Sequence, residues 1–264
     1  GYHTASVTSN AWVSPTYDYD RGFDSVYALG RGPRSATGPW DRVRHTIGDV
    51  LGDGVLFDLA KRGYDRLRNT DETVSTEDRI HDIVVDHTER NEPTFTWAHY
   101  MTVHAPYESD PDSGVRFAEE QPDEEAYRDL IDRARRSPEA LSQSERTLLS
   151  NLYDDSIRHV DRRIDDLLSA VDLEETVVCI TADHGEGLFE HGYFEHPPEL
   201  HQQLLHVPLV VLSPGVEPRR VTDTVGLESV PALLGRLAGF DAPGSPLCPP
   251  WNEDSDTVCS AVAH

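Results

Sequence analysis

One stretch constrains this chain more than any other: Val177-Val178-Cys179-Ile180-Thr181-Ala182-Asp183-His184-Gly185-Glu186-Gly187. A short apolar, β-branched run stopped by a turn signal reads as a buried strand of a parallel sheet. Gly185 and Gly187 allow the backbone to turn sharply just beyond it. In an open α/β sheet, ligands collect outside the carboxyl ends of the strands. A carboxylate and an imidazole side by side at such an exit can share one divalent cation. The competing account is an Asx-type turn beside an unrelated surface histidine.

The rest of the chain supplies the partners such a strand needs. A helix is expected from about Ser144 to Ala170, with Leu148, Leu152, Ile157, Val160, Ile164, Leu167, Leu168 and Val171 at helical spacing. It leads directly into the strand, as a crossover unit requires. A second helix is expected from Thr76 to about Glu89, capped by Thr76, with Ile80, Ile83, Val84 and His87 on one face. Strands are expected at Ala5–Asn10, Phe95–Met101 and Pro208–Leu212, with short helices ending near Leu205 and running from Glu228 to Leu237. Residues 31 to 54 read as surface loop with a helix near Val43 to Leu51, and Val258–Val262 as an edge strand. An acidic insertion at about 108–141 reads as a solvated excursion, helical only around Tyr127 to Arg135. No repeat or linker divides the chain, so residues 1–264 are expected to form a single domain.

Charge narrows the partners. The chain carries 48 acidic against 23 basic residues, a formal net charge of −25, and Lys61 is its only lysine. Such a surface repels nucleic acid and anionic membrane. Arginine keeps its specific pairs where lysine adds a flexible apolar stem. The composition predicts adaptation to molar salt, where repulsion is screened to a few ångströms. Cys179, Cys248 and Cys259 form no framework, which points to reduced thiols and a cytoplasmic protein. No apolar run reaches the length of a membrane span.

Candidate site residues gather in loops after strands. His104, in Val103-His104-Ala105-Pro106-Tyr107, can donate a charge-assisted hydrogen bond to an anionic ester. His191 and His196 flank a Gly-aromatic turn, and either could reach the same anion. Five-residue spacing keeps His201 and His206 off one helical face. Glu186 and Glu190 are expected to orient the loop or sit in solvent.

These segments together resemble the sulfatase family of the alkaline-phosphatase-like superfamily. The resemblance rests on Thr181-Ala182-Asp183-His184-Gly185-Glu186, His191-Gly192 and Leu205-His206-Val207-Pro208-Leu209. In matching order come Gly1-Tyr2-His3-Thr4 to Ser9-Asn10, Gly22-Phe23-Asp24, His104-Ala105-Pro106-Tyr107 and Tyr153 to Asp161. The last is Val225 to Gly239, where Glu228 replaces the usual aspartate. The resemblance implies an α/β fold with a mostly parallel central sheet and helices on both faces. It implies a metal-dependent hydrolase of sulfate esters, with phosphodiester or phosphonate hydrolysis, phosphoglycerol transfer, or a non-catalytic remnant as alternatives. Asp183 and His184 would hold a divalent ion, calcium first and manganese or zinc otherwise. His104 and His196 would contact the sulfate or phosphate oxygens and the leaving group, with His191 a weaker candidate. The family's nucleophile segment has no counterpart in these residues. The first strand and nucleophile helix are therefore expected to lie upstream of Gly1, and the 264 residues alone to be inactive.

Overall fold

The computed structural model describes residues 1–10, 12–29, 75–107, 116–119 and 121–240, and the backbone of 260–263. The loop and helix expected at 31–54, most of the acidic stretch 108–120, and Cys248 and Cys259 lie outside these residues. Contacts group the chain into two compact units, Gly1–Thr102 and Val103–His264.

The first unit is built on a three-stranded parallel sheet. β1 (His3–Thr8) lies between β2 (Ser25–Ala28) and β3 (Thr94–His99), with Ala5 opposite both Ser25 and Thr96. Ala5 to Thr8 are buried, as a central strand requires. Helix α1 (Thr76–Thr88) packs on β1 and β3 through Ile80, Val84 and His87. Its cap is Ser75, one residue before the expected Thr76. Ser75 has extended backbone, its side chain accepts from the Asp78 N–H, and the Asp78 carboxylate accepts from the Ser75 N–H. That reciprocal box satisfies two orphan donors at once, which a cap at Thr76 would leave exposed. The buried Glu77 accepts the Thr102 hydroxyl hydrogen at 3.0 Å.

The second unit has two apolar clusters. In the first, α2 (Glu124–Arg136) buries Tyr127, Leu130, Ile131 and Ala134 against Leu149 and Leu152 of α3 (Gln143–Ala170) and against Tyr107 and Phe194. Each fully buried aliphatic side chain here stabilises by about 1.5–3 kcal/mol. The helix expected near Tyr127 to Arg135 is therefore an anchored element, because its apolar residues fall at i, i+3, i+4 and i+7. The buried face of α3 is turned from the expected stripe. Leu149, Leu152, Ser156 and His159 are inside, while Ile157 is 42% exposed. Asp155 is also inside, and its carboxylate accepts the backbone N–H of Phe117 and of Ala118 at 2.8 and 3.1 Å. A charge so satisfied can be buried without a large penalty, so a polar residue takes a core position that periodicity assigns to its apolar neighbours.

The second cluster joins the sheet β4 (Val178–Thr181), β7 (Val207–Leu212) and β8 (Ser260–Ala263) to α5 (Val230–Leu237) through Leu209, Val211, Val225 and Leu233. Cys179 is half-buried beside them, and burial pushes its thiol pKa up. By sequence, β4 reads as a buried strand of a parallel sheet. It is half-buried and pairs antiparallel with β7, Val178 opposite Leu212 and Thr181 opposite Leu209. Parallel neighbours need a crossover, usually a helix. The chain between β4 and β7 instead holds the Asp-His turn, a two-stranded ribbon of β5 (Gly187–Leu188) and β6 (Phe194–Glu195), and the single-turn α4 (Gln202–Leu205).

Candidate active site

The turn after β4 is fixed by close backbone packing. The Gly185 N–H donates to the Leu204 carbonyl at 2.8 Å, and a Cβ at Gly185 would lie 1.9 Å from the Gln203 carbonyl oxygen. Only glycine lets α4 approach this near. Two residues on, Gly187 faces the Tyr193 ring and the Glu195 carbonyl, which holds the β5–β6 ribbon against the same turn.

This turn presents Asp183 and His184 to one cleft of ≈ 350 Å³, also lined by His196, Glu199, Leu227 and Glu228. The Asp183 Oδ2 and His184 Nε2 atoms are 3.9 Å apart. The His184 backbone N–H donates to Asp183 Oδ1 at 3.1 Å, which orients the carboxylate. His184 Nδ1 meets the Gly185 carbonyl at 2.8 Å. A carbonyl only accepts, so this nitrogen carries the proton and Nε2 keeps its lone pair in the neutral ring. That is the tautomer a metal-ligating histidine needs, fixed by the partner of its other nitrogen.

Ninety-two positions separate His104 and His196, yet their Nε2 atoms are 3.3 Å apart. His104 Nδ1 donates to the Ala105 carbonyl at 2.7 Å, leaving its Nε2 as the acceptor and His196 Nε2–H as the donor when both rings are neutral. The His196 ring also packs on His184, with centroids 4.2 Å apart. Burial pushes the His196 pKa down, and His184 and His104 add to the shift by disfavouring a further positive charge.

Glu186 is the residue whose role sequence reasoning missed. It is half-buried rather than solvated, and its Oε1 accepts the Tyr107 hydroxyl at 3.1 Å. Burial pushes its carboxyl up to about 7, against the opposing pull of that hydrogen bond. One donor atom from each of His184, Glu186 and His196 lies within 4.8 Å of the others. The signal was the alternation of His184 and Glu186 about Gly185, which fits an oriented loop equally well. Glu190 does orient the loop, accepting the Leu188 N–H at 2.7 Å.

His191 stands apart from this group in its contacts. Its Nε2 meets Gln203 Oε1 at 3.0 Å, and its ring stacks on His201 at 3.8 Å. Thus His104, His184 and His196 come together beside Asp183, and His191 joins a second stack with His201 and Tyr193.

The residues present fit a divalent cation: His184 offers an oriented lone pair, Asp183 an exposed carboxylate beside it, and Glu186 and His196 further donors within 4.8 Å of a His184 nitrogen. Calcium favours oxygen ligands, whereas imidazole with carboxylate suits zinc or manganese. The cleft therefore offers both chemistries, oxygen donors at Asp183 and Glu186 and nitrogen donors at His184 and His196.

Residues 1–237 match the protein family described as Sulfatase. Among curated proteins, the chain is similar to arylsulfatase K of Bos taurus and of Mus musculus, each 32% identical over 72 residues. Those matches cover 27% of this chain and 13% of each relative's length. Among the described residues, no helix is long and apolar enough to cross a membrane.

Proposed function

The chain belongs to the sulfatase family, and from that premise we propose that it contributes metal- and anion-binding residues to a site that hydrolyses sulfate esters. Asp183 and His184 hold the divalent cation, with Glu186 and His196 in reach of it. When bound, the cation supplies Lewis-acid polarisation of the ester. The remaining work falls to the chain's own groups. His104 and His196 hold the ester oxygens: an oxygen entering at their contact accepts the His196 Nε2–H in place of His104 Nε2, and His104 donates to it as well once it carries a second proton on Nε2. Such preorganised donors stabilise charge as it develops on the departing group. Tyr107 keeps Glu186 oriented, and Gly185 keeps the turn close enough to α4 for Asp183 and His184 to share the cleft.

The observation that carries this reading is the meeting of Asp183, His184 and His196 in one cleft with His104 against His196. A phosphoryl-ester reading comes second, favoured by the imidazole-rich donors around His184, which suit zinc or manganese. The separating experiment is the calorimetric affinity of the chain for an aryl sulfate against a bis-aryl phosphate at molar salt, with calcium, manganese or zinc supplied. Preference for the aryl sulfate supports the first reading. Preference for the phosphate transfers the site to the second, and binding of neither removes both.

A further inference from the structure

Helix α2 reaches both halves of the histidine pair by separate hydrogen bonds. At one end, the Tyr127 hydroxyl accepts the Tyr107 N–H at 2.7 Å, and Tyr107 closes the segment that carries His104. At the other, Arg135 grips the Glu195 carboxylate with both arms of its fork, Nε to Oε2 at 2.8 Å and a terminal nitrogen to Oε1 at 2.6 Å. Glu195 immediately precedes His196.

Two features distinguish this grip from an ordinary surface ion pair. The Glu195 side chain is only 15% exposed, so its charge is partly desolvated and its partner matters. The Glu195 backbone also sits at φ +64°, a left-handed conformation that a non-glycine residue adopts at a cost. That conformation aims the next residue, and a planar bidentate contact restricts it as a single lysine ammonium would not. The Tyr127 contact is likewise enclosed, since Tyr107 is 1% exposed.

We propose that α2 is a brace for the His104–His196 pair, in which Arg135 is a positioning residue for His196 and Tyr127 one for His104. The proposal rests on the reading that the two histidines hold the anionic ester. It also gives a task to the basic end of a helix that lies within an acidic stretch with no assigned chemistry.

The test uses the full chain, isotope-labelled, at molar salt, with two readouts. One is the ring-to-ring nuclear Overhauser contact between His104 and His196. The other is the affinity for inorganic sulfate, followed by the shifts of the same two rings. Arg135→Gln is expected to lose the ring contact and weaken sulfate binding by about ten- to a hundredfold, the scale of a displacement of about 1 Å at a site. Arg135→Lys should restore only part of both, and Arg136→Gln, exposed on the same helix, should change neither. Tyr127→Phe is expected to disturb the His104 ring, and it decides the matter if Arg135→Gln does not fold. Folded Arg135→Gln or Tyr127→Phe with the wild-type ring contact and sulfate affinity would overturn the proposal. If the wild type shows the ring contact, Arg135→Gln loses it, and neither binds sulfate, the brace stands and the anion reading falls.

Discussion

His196 Nε2 lies 3.3 Å from His104 Nε2, and its ring lies 4.2 Å from that of His184. His196 is thus the hinge between the histidine proposed to face the anion and the one proposed to face the metal. A side chain with neighbours of both kinds can act on an ester only if the two loops that carry it and His104 are held in register.

Removing His104 therefore deletes the partner of the His196 Nε2–H, and with it the donor that a protonated His104 offers, without touching Asp183 or His184. His104→Ala is expected to weaken binding of an anionic aryl ester by about ten- to a hundredfold, the scale of one charge-assisted hydrogen bond. Metal affinity measured by calorimetry should be unchanged. Near-normal ester affinity would demote His104 to a turn residue.

Gly185→Ala tests the turn itself. The added methyl would lie 1.9 Å from the Gln203 carbonyl, and backbone cannot yield as a side-chain tip can. Overpacking of this kind costs about 1–3 kcal/mol. Chemical denaturation should show that loss together with weakened metal binding, and a variant with wild-type stability would contradict the packing described for the turn.

Acid stability has an assignable component at the start of α3. The Ser142 hydroxyl and backbone N–H, with Arg133, pull the Glu145 carboxyl down to about 2. A carboxyl depressed on folding contributes stability above its unfolded pKa and loses it as pH falls through the folded value. Between about pH 5 and pH 2 the wild type should lose thermal stability more steeply than Glu145→Gln. Parallel curves would remove Glu145 from the account.

Much of this was legible in the sequence, for reasons that differ from element to element. The strand before Asp183, the partner at Val207–Leu212, α1 and α3 all announce themselves by apolar period or by a stop signal. β2 does not, because Ser-Val-Tyr-Ala is too short to show a period. The antiparallel pairing of β4 and β7 was illegible, since an apolar run carries no direction. The buried face of α3 was misplaced because Asp155 takes two backbone N–H groups inside, where hydropathy puts a charge outside. Asp183, His184, His104 and His196 could each be named from residue type and neighbours. That His104 meets His196 could not, since nothing local encodes a contact across 92 positions.

The acid excess predicts a dependence on salt. With a net charge of −25, dilution below about 1 M salt lengthens the screening distance from about 3 Å towards 10 Å and exposes carboxylate repulsion. Circular dichroism should show unfolding on dilution, recovered by adding salt back. A transition indifferent to salt would contradict the halophilic reading.

The central claim is that Asp183 and His184 grip one divalent cation, and calorimetric titration of the wild type and Asp183→Asn with calcium, manganese and zinc tests it most directly. The account predicts a single site in the wild type and at least about tenfold weaker binding in Asp183→Asn, the size of a lost charge-assisted contact of roughly 1.4 kcal/mol or more. Equal affinity in both proteins, or no binding in the wild type, would contradict it.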